Sequence, residues 1–168
     1  LTRSAARPGD RIAVTGFVGD SAGGRAVLKA SALSVSKGES RPSADVGAYL
    51  RRAHLRPIPR VKEGQTLARI GVRAAIDISD GLVSDLGHVC RASGVSAIVH
   101  TDRLPLSAQL GQAFGAKAIE MALFGGEDYE LLFTAPGPLM EMAKFARKSA
   151  DQAQTEIEEE IKKKYIVQ

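Results

Sequence analysis

The chain has 168 residues, 44% of them hydrophobic and 25% charged, with a net charge of +4. That is the make-up of one globular domain with a real core. No apolar run reaches the length of a membrane span, no signal-peptide pattern opens the chain, and the basic residues are spread too thinly to mark a nucleic-acid surface.

The single cysteine, Cys90, excludes an intramolecular disulfide and fits a reducing, cytoplasmic setting. The chain opens on Leu1 and runs at once through a polar, linker-like stretch, LTRSAARPGD, so it reads as a piece of something longer. Its Pro8-Gly9-Asp10 is a turn signal. Arg11 to Gly16 alternates as a strand does. A glycine-rich loop follows, from Gly16 to Gly24, and then a helical pattern from Arg25 to Ala32. The loop lacks the lysine of a P-loop and the spacing of a dinucleotide fingerprint. It reads as a tight turn with close packing at Gly23 and Gly24.

Residues 34–44, rich in Ser, Gly and Lys, read as an exposed loop. Asp45 to His54 reads as a helix, with Arg51, Arg52 and His54 in its last turn. Pro57 and Pro59 then force an irregular path through LRPIPR. Its arginines could meet phosphate or a partner's carboxylates, or simply face water. Val61 to Ile70 is a second short helix pattern. No pair among His54, His88 and His100 has metal-ligand spacing with a nearby cysteine or glutamate, which argues against zinc.

The organising stretch is AAIDISDGL, residues 74–82. Ala74 to Ile76 reads as a buried strand. Leu82, Leu86, Val89 and Cys90 mark one face of a helix. Asp77, Ser79 and Asp80 stand at the junction. Ser79 or Asp80 could cap the helix. A helix start is also a natural phosphate site, and two carboxylates beside it suit Mg²⁺. Val95 to His100 reads as a strand, Leu104 to Ser107 leads into a helix weakened by Gly111 and Gly115, and Lys117 to Leu123 is helical. After Gly125-Gly126-Glu127-Asp128, Tyr129 to Ala135 is a strand. Alternating short strands and helices give an α/β or α+β layered domain.

Five motifs in this order, VTGFVGDSAGG, HLRPIPRV, AAIDISDGLVSDLGHVCRASG, LPLS and FGGEDYELLFTAP, resemble those of thiamine-monophosphate kinases. These kinases share a superfamily with aminoimidazole ribonucleotide synthetase, selenophosphate synthetase and a hydrogenase maturation protein. The resemblance runs from about residue 7 to residue 136 and fades after 137. It implies the carboxy-terminal domain of that fold: a mixed sheet with packed helices. Residues 1–10 would be the inter-domain linker, 11–150 the kinase domain and 151–168 a charged helical tail.

The resemblance also implies transfer of the γ-phosphoryl group of ATP to thiamine monophosphate, giving thiamine diphosphate, with Mg²⁺ supplying charge neutralisation. By match to DISDGL, Asp77 and Asp80 would ligate Mg²⁺ and Ser79 would contact the nucleotide phosphates. By match to GGEDYE, Glu127 would contact the thiamine substrate. No catalytic residue is implied, and Asp20, Asp85 and Asp128 receive no role. The acidic amino-terminal domain, which carries most metal ligands and the dimer interface in the family, is missing from this sequence. Another superfamily synthetase and an inactive lone domain or binding module remain alternatives. In the tail, Glu158, Glu159 and Glu160 stand four residues before Lys162, Lys163 and Lys164, the favourable order for helical ion pairs.

Overall fold

The computed structural model describes residues 1–32 and 42–143. Three strands, β1 (Arg11–Val14), β2 (Ala74–Asp77) and β3 (Leu131–Ala135), form a sheet in the order β1-β3-β2. Both pairings are antiparallel. A single parallel bridge, Thr2 to Ala74, extends the sheet beyond β2. Mixed character therefore rests on that bridge alone among the described residues.

Among the described residues, six helices accompany the sheet: α1 (Asp20–Ala32), α2 (Ala44–Leu55), α3 (Val61–Arg69), α4 (Leu82–Ser93), α5 (Ala108–Phe114) and α6 (Lys117–Phe124). A 3-10 turn spans Thr101–Arg103, and residues 137–143 are helical.

The pleat sorts the core. Successive strand residues point to opposite faces. Ile76 and Leu132 pack on one face with Leu82, Leu86 and Val89 of α4 and Ala122 of α6. Ala75, Phe133 and Ala135 face the other way, onto Leu67 of α3 and Met140. The central strand β3 is covered on both faces, which is why LLFTA is almost wholly apolar rather than alternating. A third cluster, Val27, Val46, Leu50, Leu110 and Ala118, joins α1, α2, α5 and α6.

Most local expectations hold, with boundaries moved by a few residues. Ser43 caps α2 by accepting the Val46 N–H, and Gly94 closes α4 in the left-handed conformation. Two expectations about these elements fail, apart from the start of α4. Gly23 and Gly24 lie inside α1, not in a turn; the tight turn is made earlier, at Gly19 with φ +89°. The glycines serve helix contact instead, since a Cβ on Gly24 would collide with the Leu50 carbonyl of α2. Val95 to His100 forms no strand. A groove of about 920 Å³ lies between it and the open edge of β1, lined by Ile12, Val14, Cys90, Val95 and Val99, so no ladder partner is within reach. Residues 34–41 of the expected exposed loop, 144–150 of the expected 11–150 domain and all of 151–168 lie outside the described residues.

The empty surroundings of Gly111, in the interior of α5, give a direct test of the packing. Gly111→Ala should raise stability by about 0.5–1 kcal/mol, because it restricts the unfolded chain and meets nothing in the folded one. Urea unfolding of the variant checks this; a loss of stability would mean that α5 is packed differently.

Candidate functional site

The sheet topology brings three loops to one end. Because β1 and β2 both run antiparallel to β3, their last residues lie beside its first: Val14 pairs with Leu132, and Asp77 with Leu131. The loop after β1, the junction after β2 and the GGEDYE segment before β3 therefore meet.

Backbone hydrogen bonds fasten the last two together. The Ile78 N–H donates to the Glu130 carbonyl (2.8 Å), the Tyr129 N–H to the Ile78 carbonyl (2.9 Å) and the Glu127 N–H to the Ser79 carbonyl (2.9 Å). A side chain at Gly126 would strike the Ser79 carbonyl, so only glycine lets the two chains lie this close. The loop after β1 joins through Asp128, whose carboxylate accepts the N–H groups of Gly19 (2.7 Å) and Ser21 (3.0 Å). Glu127 and Tyr129 both hold positive φ, 69° and 52°, without being glycine. Such conformations cost about 1–3 kcal/mol each and persist where the surroundings enforce them, often at functional sites.

Asp77 is the exposed last residue of β2, Asp80 is exposed, Ser79 is half-buried, and Glu127 is exposed. Ser79, Asp80 and Glu127 lie on the two joined loops, and Asp77 ends the strand that leads into the first. Among the described residues, neither the Asp77 nor the Asp80 carboxylate makes a hydrogen bond or ion pair. Exposed, unpaired carboxylate oxygens are the hard donors that Mg²⁺ takes, so the residues fit that ion.

The capping expectation fails. Gly81 holds the position before α4, with φ 110° and no side-chain cap, so Asp80 is one residue too early and Ser79 two. Instead Asp85, buried in α4, reaches back and accepts the N–H groups of Ser79 and Asp80, both at 3.0 Å. That inversion frees the Asp80 carboxylate and fixes the loop that carries it. Ligand atoms of Asp80, Asp85 and His88 lie within 4.8 Å of one another.

Sequence reasoning also passed over the acids beneath the loops. Asp20 is buried and accepts the Ser107 hydroxyl (2.5 Å) and the Tyr49 hydroxyl (2.9 Å). Burial pushes its carboxyl up, while those two hydroxyls pull it down. Burial also pushes the Tyr49 phenol up to about 12, helped by the Asp20 charge. Glu130 is buried and grips Arg60 at two points, 2.8 Å to Nε and 2.6 Å to Nη2, and accepts the Thr15 hydroxyl at 2.5 Å. The bond to Glu130 pushes the Arg60 guanidinium up. This settles the open reading of the LRPIPR arginines for Arg60: it meets a carboxylate of its own chain. The available signal was an acid placed among apolar neighbours, as Asp85 stands between Leu82 and Leu86 and Glu130 before Leu131.

Burial pushes the Asp128 carboxyl up to about 6; the Gly19 and Ser21 N–H groups oppose this, and the charges of Asp20 and Glu130 add to it. A raised carboxyl contributes stability when protonated and loses it as pH climbs from the ordinary carboxylate range through about 6. Asp128→Asn removes that titration. The stability of the native chain relative to the variant should therefore fall by about 2 kcal/mol between pH 4 and pH 7. Urea unfolding at the two pH values checks it, and a flat difference would place Asp128 in the ordinary range.

The family model for the AIR synthase related protein, C-terminal domain, matches residues 7–156. Over 137 residues the chain is 51% identical to the thiamine-monophosphate kinase of Salmonella typhimurium, covering 81% of this chain and 40% of that protein. Among solved structures, the thiamine-monophosphate kinase from Stenotrophomonas maltophilia has a TM-score of 0.80 at 39% identity, over 90% of this chain and 47% of that one. AaThiL complexed with AMPPCP and TMP has a TM-score of 0.67 at 38% identity, over 82% of this chain and 42% of its own. The resemblance read from the motifs thus extends to sequence and fold, while the chain spans about two fifths of the length of the curated relatives it matches. Since the motif loops joined at one end of the sheet all fall inside the matched span, the chain belongs to the carboxy-terminal domain family of the AIR synthase related proteins.

Proposed function

We propose that the protein carrying this domain is a cytoplasmic thiamine-monophosphate kinase. It transfers the γ-phosphoryl group of ATP to thiamine monophosphate and yields thiamine diphosphate. The observation that carries the reading is the joining of the DISDG and GGEDYE loops, which sets Asp77, Ser79, Asp80 and Glu127 on two adjacent segments at one end of the sheet.

In this reading Asp77 and Asp80 hold Mg²⁺, Ser79 meets the nucleotide phosphates, and Glu127 receives the thiamine moiety. Bound Mg²⁺ supplies charge neutralisation on the phosphates and helps to orient them. The chain's own part is placement. Asp85 fixes the Ser79–Asp80 backbone, and Asp128 ties the loop after β1 to the same end. The acceptor is itself a phosphate anion, so no side chain is required as a general base. Residues 1–10 would lead from a preceding acidic domain that completes the nucleotide site and forms a homodimer; 11–150 are the kinase's second domain and 151–168 a charged extension.

The test is calorimetric titration of the 168-residue chain with thiamine monophosphate and, separately, with ATP·Mg²⁺. Binding of either that is lost in Asp77→Asn or Glu127→Ala supports the reading for this half of the site. Tight binding unchanged in both variants would overturn the assignment of these residues. In the complete enzyme, Asp77→Asn should lower turnover and raise the Mg²⁺ requirement, with the unfolding midpoint unchanged.

A further inference from the structure

Helix α1 and helix α2 cross at Gly24, where a Cβ would stand 2.8 Å from the Cβ of His54. This close crossing carries His54 over the first turn of α1. Its Nδ1 lies 2.9 Å from the hydroxyl of Ser21, three residues before Gly24 on the same helix face. The same Nδ1 lies 3.4 Å from Oε2 of Glu127. Ser21 is buried, His54 is partly buried with about a fifth of its side chain exposed, and Glu127 is about half exposed.

Each member of this chain of contacts is held independently. The Ser21 N–H donates to Asp128, and the Glu127 N–H donates to the Ser79 carbonyl in a backbone conformation that glutamate rarely adopts. The start of the Glu127 side chain is therefore fixed by the loop, and its carboxylate end by His54.

The chemistry selects one tautomer. Glu127 Oε2 offers only lone pairs, so its 3.4 Å contact with Nδ1 is favourable only where that nitrogen carries a proton. The Ser21 hydroxyl can turn to accept as well. We infer that His54 is a positioning residue for Glu127: its Nδ1–H, shared between Ser21 and Glu127, holds the carboxylate at the rim of the site, ready to receive a cationic ring of the acceptor. This rests on the proposed contact of Glu127 with thiamine. It adds that His54 and Ser21, which lie on two helices outside the motif carrying Glu127, set the site's preference for a cationic heteroaromatic acceptor.

The experiment has two arms on the 168-residue chain. In the first, ¹⁵N spectra of the histidine ring are recorded at alkaline pH. His54 should show the Nδ1–H tautomer, and its nitrogen resonances should move in Ser21→Ala and in Glu127→Gln. An Nε2–H tautomer, or resonances indifferent to Glu127→Gln, would overturn the positioning role whatever binds. In the second, thiamine monophosphate and ATP·Mg²⁺ are titrated into His54→Ala and His54→Asn. His54→Ala should weaken thiamine monophosphate about five- to tenfold and leave the nucleotide unaffected. His54→Asn should restore most of the loss, since its amide branches at Cγ as Nδ1 does. Equal affinity in all forms overturns the effect on the acceptor. If the native chain takes up no thiamine monophosphate, the substrate reading fails, while the nitrogen spectra still decide the positioning.

Discussion

Replacing Arg60 with methionine should lower the unfolding free energy of the chain by about 3 kcal/mol, the largest loss expected from any single side chain in the site. Arg60 comes from the irregular LRPIPR segment, yet it reaches Glu130 at the start of β3 with two hydrogen bonds of 2.8 and 2.6 Å. Glu130 is buried, and Asp20 and Asp128 are close enough for its charge to act on both. Removing the guanidinium leaves a buried carboxylate with only the Thr15 hydroxyl, next to two further acids. Breaking a buried pair from one side typically costs 3–5 kcal/mol; the lower end applies because the Arg60 side chain is about a quarter exposed. For a domain of this size the melting temperature should drop by about 10 °C. The double variant Arg60→Met, Glu130→Gln should recover part of that, because the stranded charge is gone. A single variant as stable as the native chain would mean that water already screens the pair.

Gly24→Ala should destabilise the chain by about 2–3 kcal/mol, although alanine is the better helix former by about 1 kcal/mol. The added methyl meets the carbonyl of Leu50 and the Cβ of His54, and neither can move without shifting α2. Leu50 is fully buried in the cluster that joins α1, α2, α5 and α6, so the helix has nowhere to withdraw. The contrast with Gly111→Ala is the check. Two glycines inside helices, changed in the same way, should move stability in opposite directions. If both substitutions stabilise, the α1–α2 crossing is wider than described. Since His54 sits at that crossing, Gly24→Ala should also disturb the ring's contact with Glu127.

The placement of function across the chain follows from the antiparallel register. Asp77 and Asp80 stand at one end of β2, Glu127 stands before β3, and the pairing of Asp77 with Leu131 together with the bond of the Glu127 N–H to the Ser79 carbonyl brings their segments together. The joined loops gather exposed carboxylates at one end of the sheet, on a backbone held by acids beneath them. Those acids have different tasks. Asp85 and Asp128 bind backbone N–H groups, Glu130 binds a cation, and Asp20 binds two hydroxyls. Among the described residues, the carboxylates of Asp77 and Asp80 have no hydrogen-bond or ion-pair partner.

By itself the sequence determined the elements with a strong local period and the residues of the motifs. Leu82, Leu86 and Val89 mark α4 through their spacing, Asp45 to His54 reads as the helix that became α2, and Tyr129 to Ala135 contains β3. These signals are legible because helix and strand periods and caps involve residues only a few positions apart. The tertiary structure alone decided the rest. Val95 to His100 has strand composition, but a strand needs a partner, and a groove stands where the partner would be. Gly23 and Gly24 look like a turn until α2 is laid across them. Which acids are buried and which are free is equally hidden, because Glu130 meets Arg60 from 70 residues away and Asp128 meets Gly19 from 109. Contacts at such separations leave no period in the sequence; their energy comes from burial and hydrogen bonds that exist only once the chain has closed on itself.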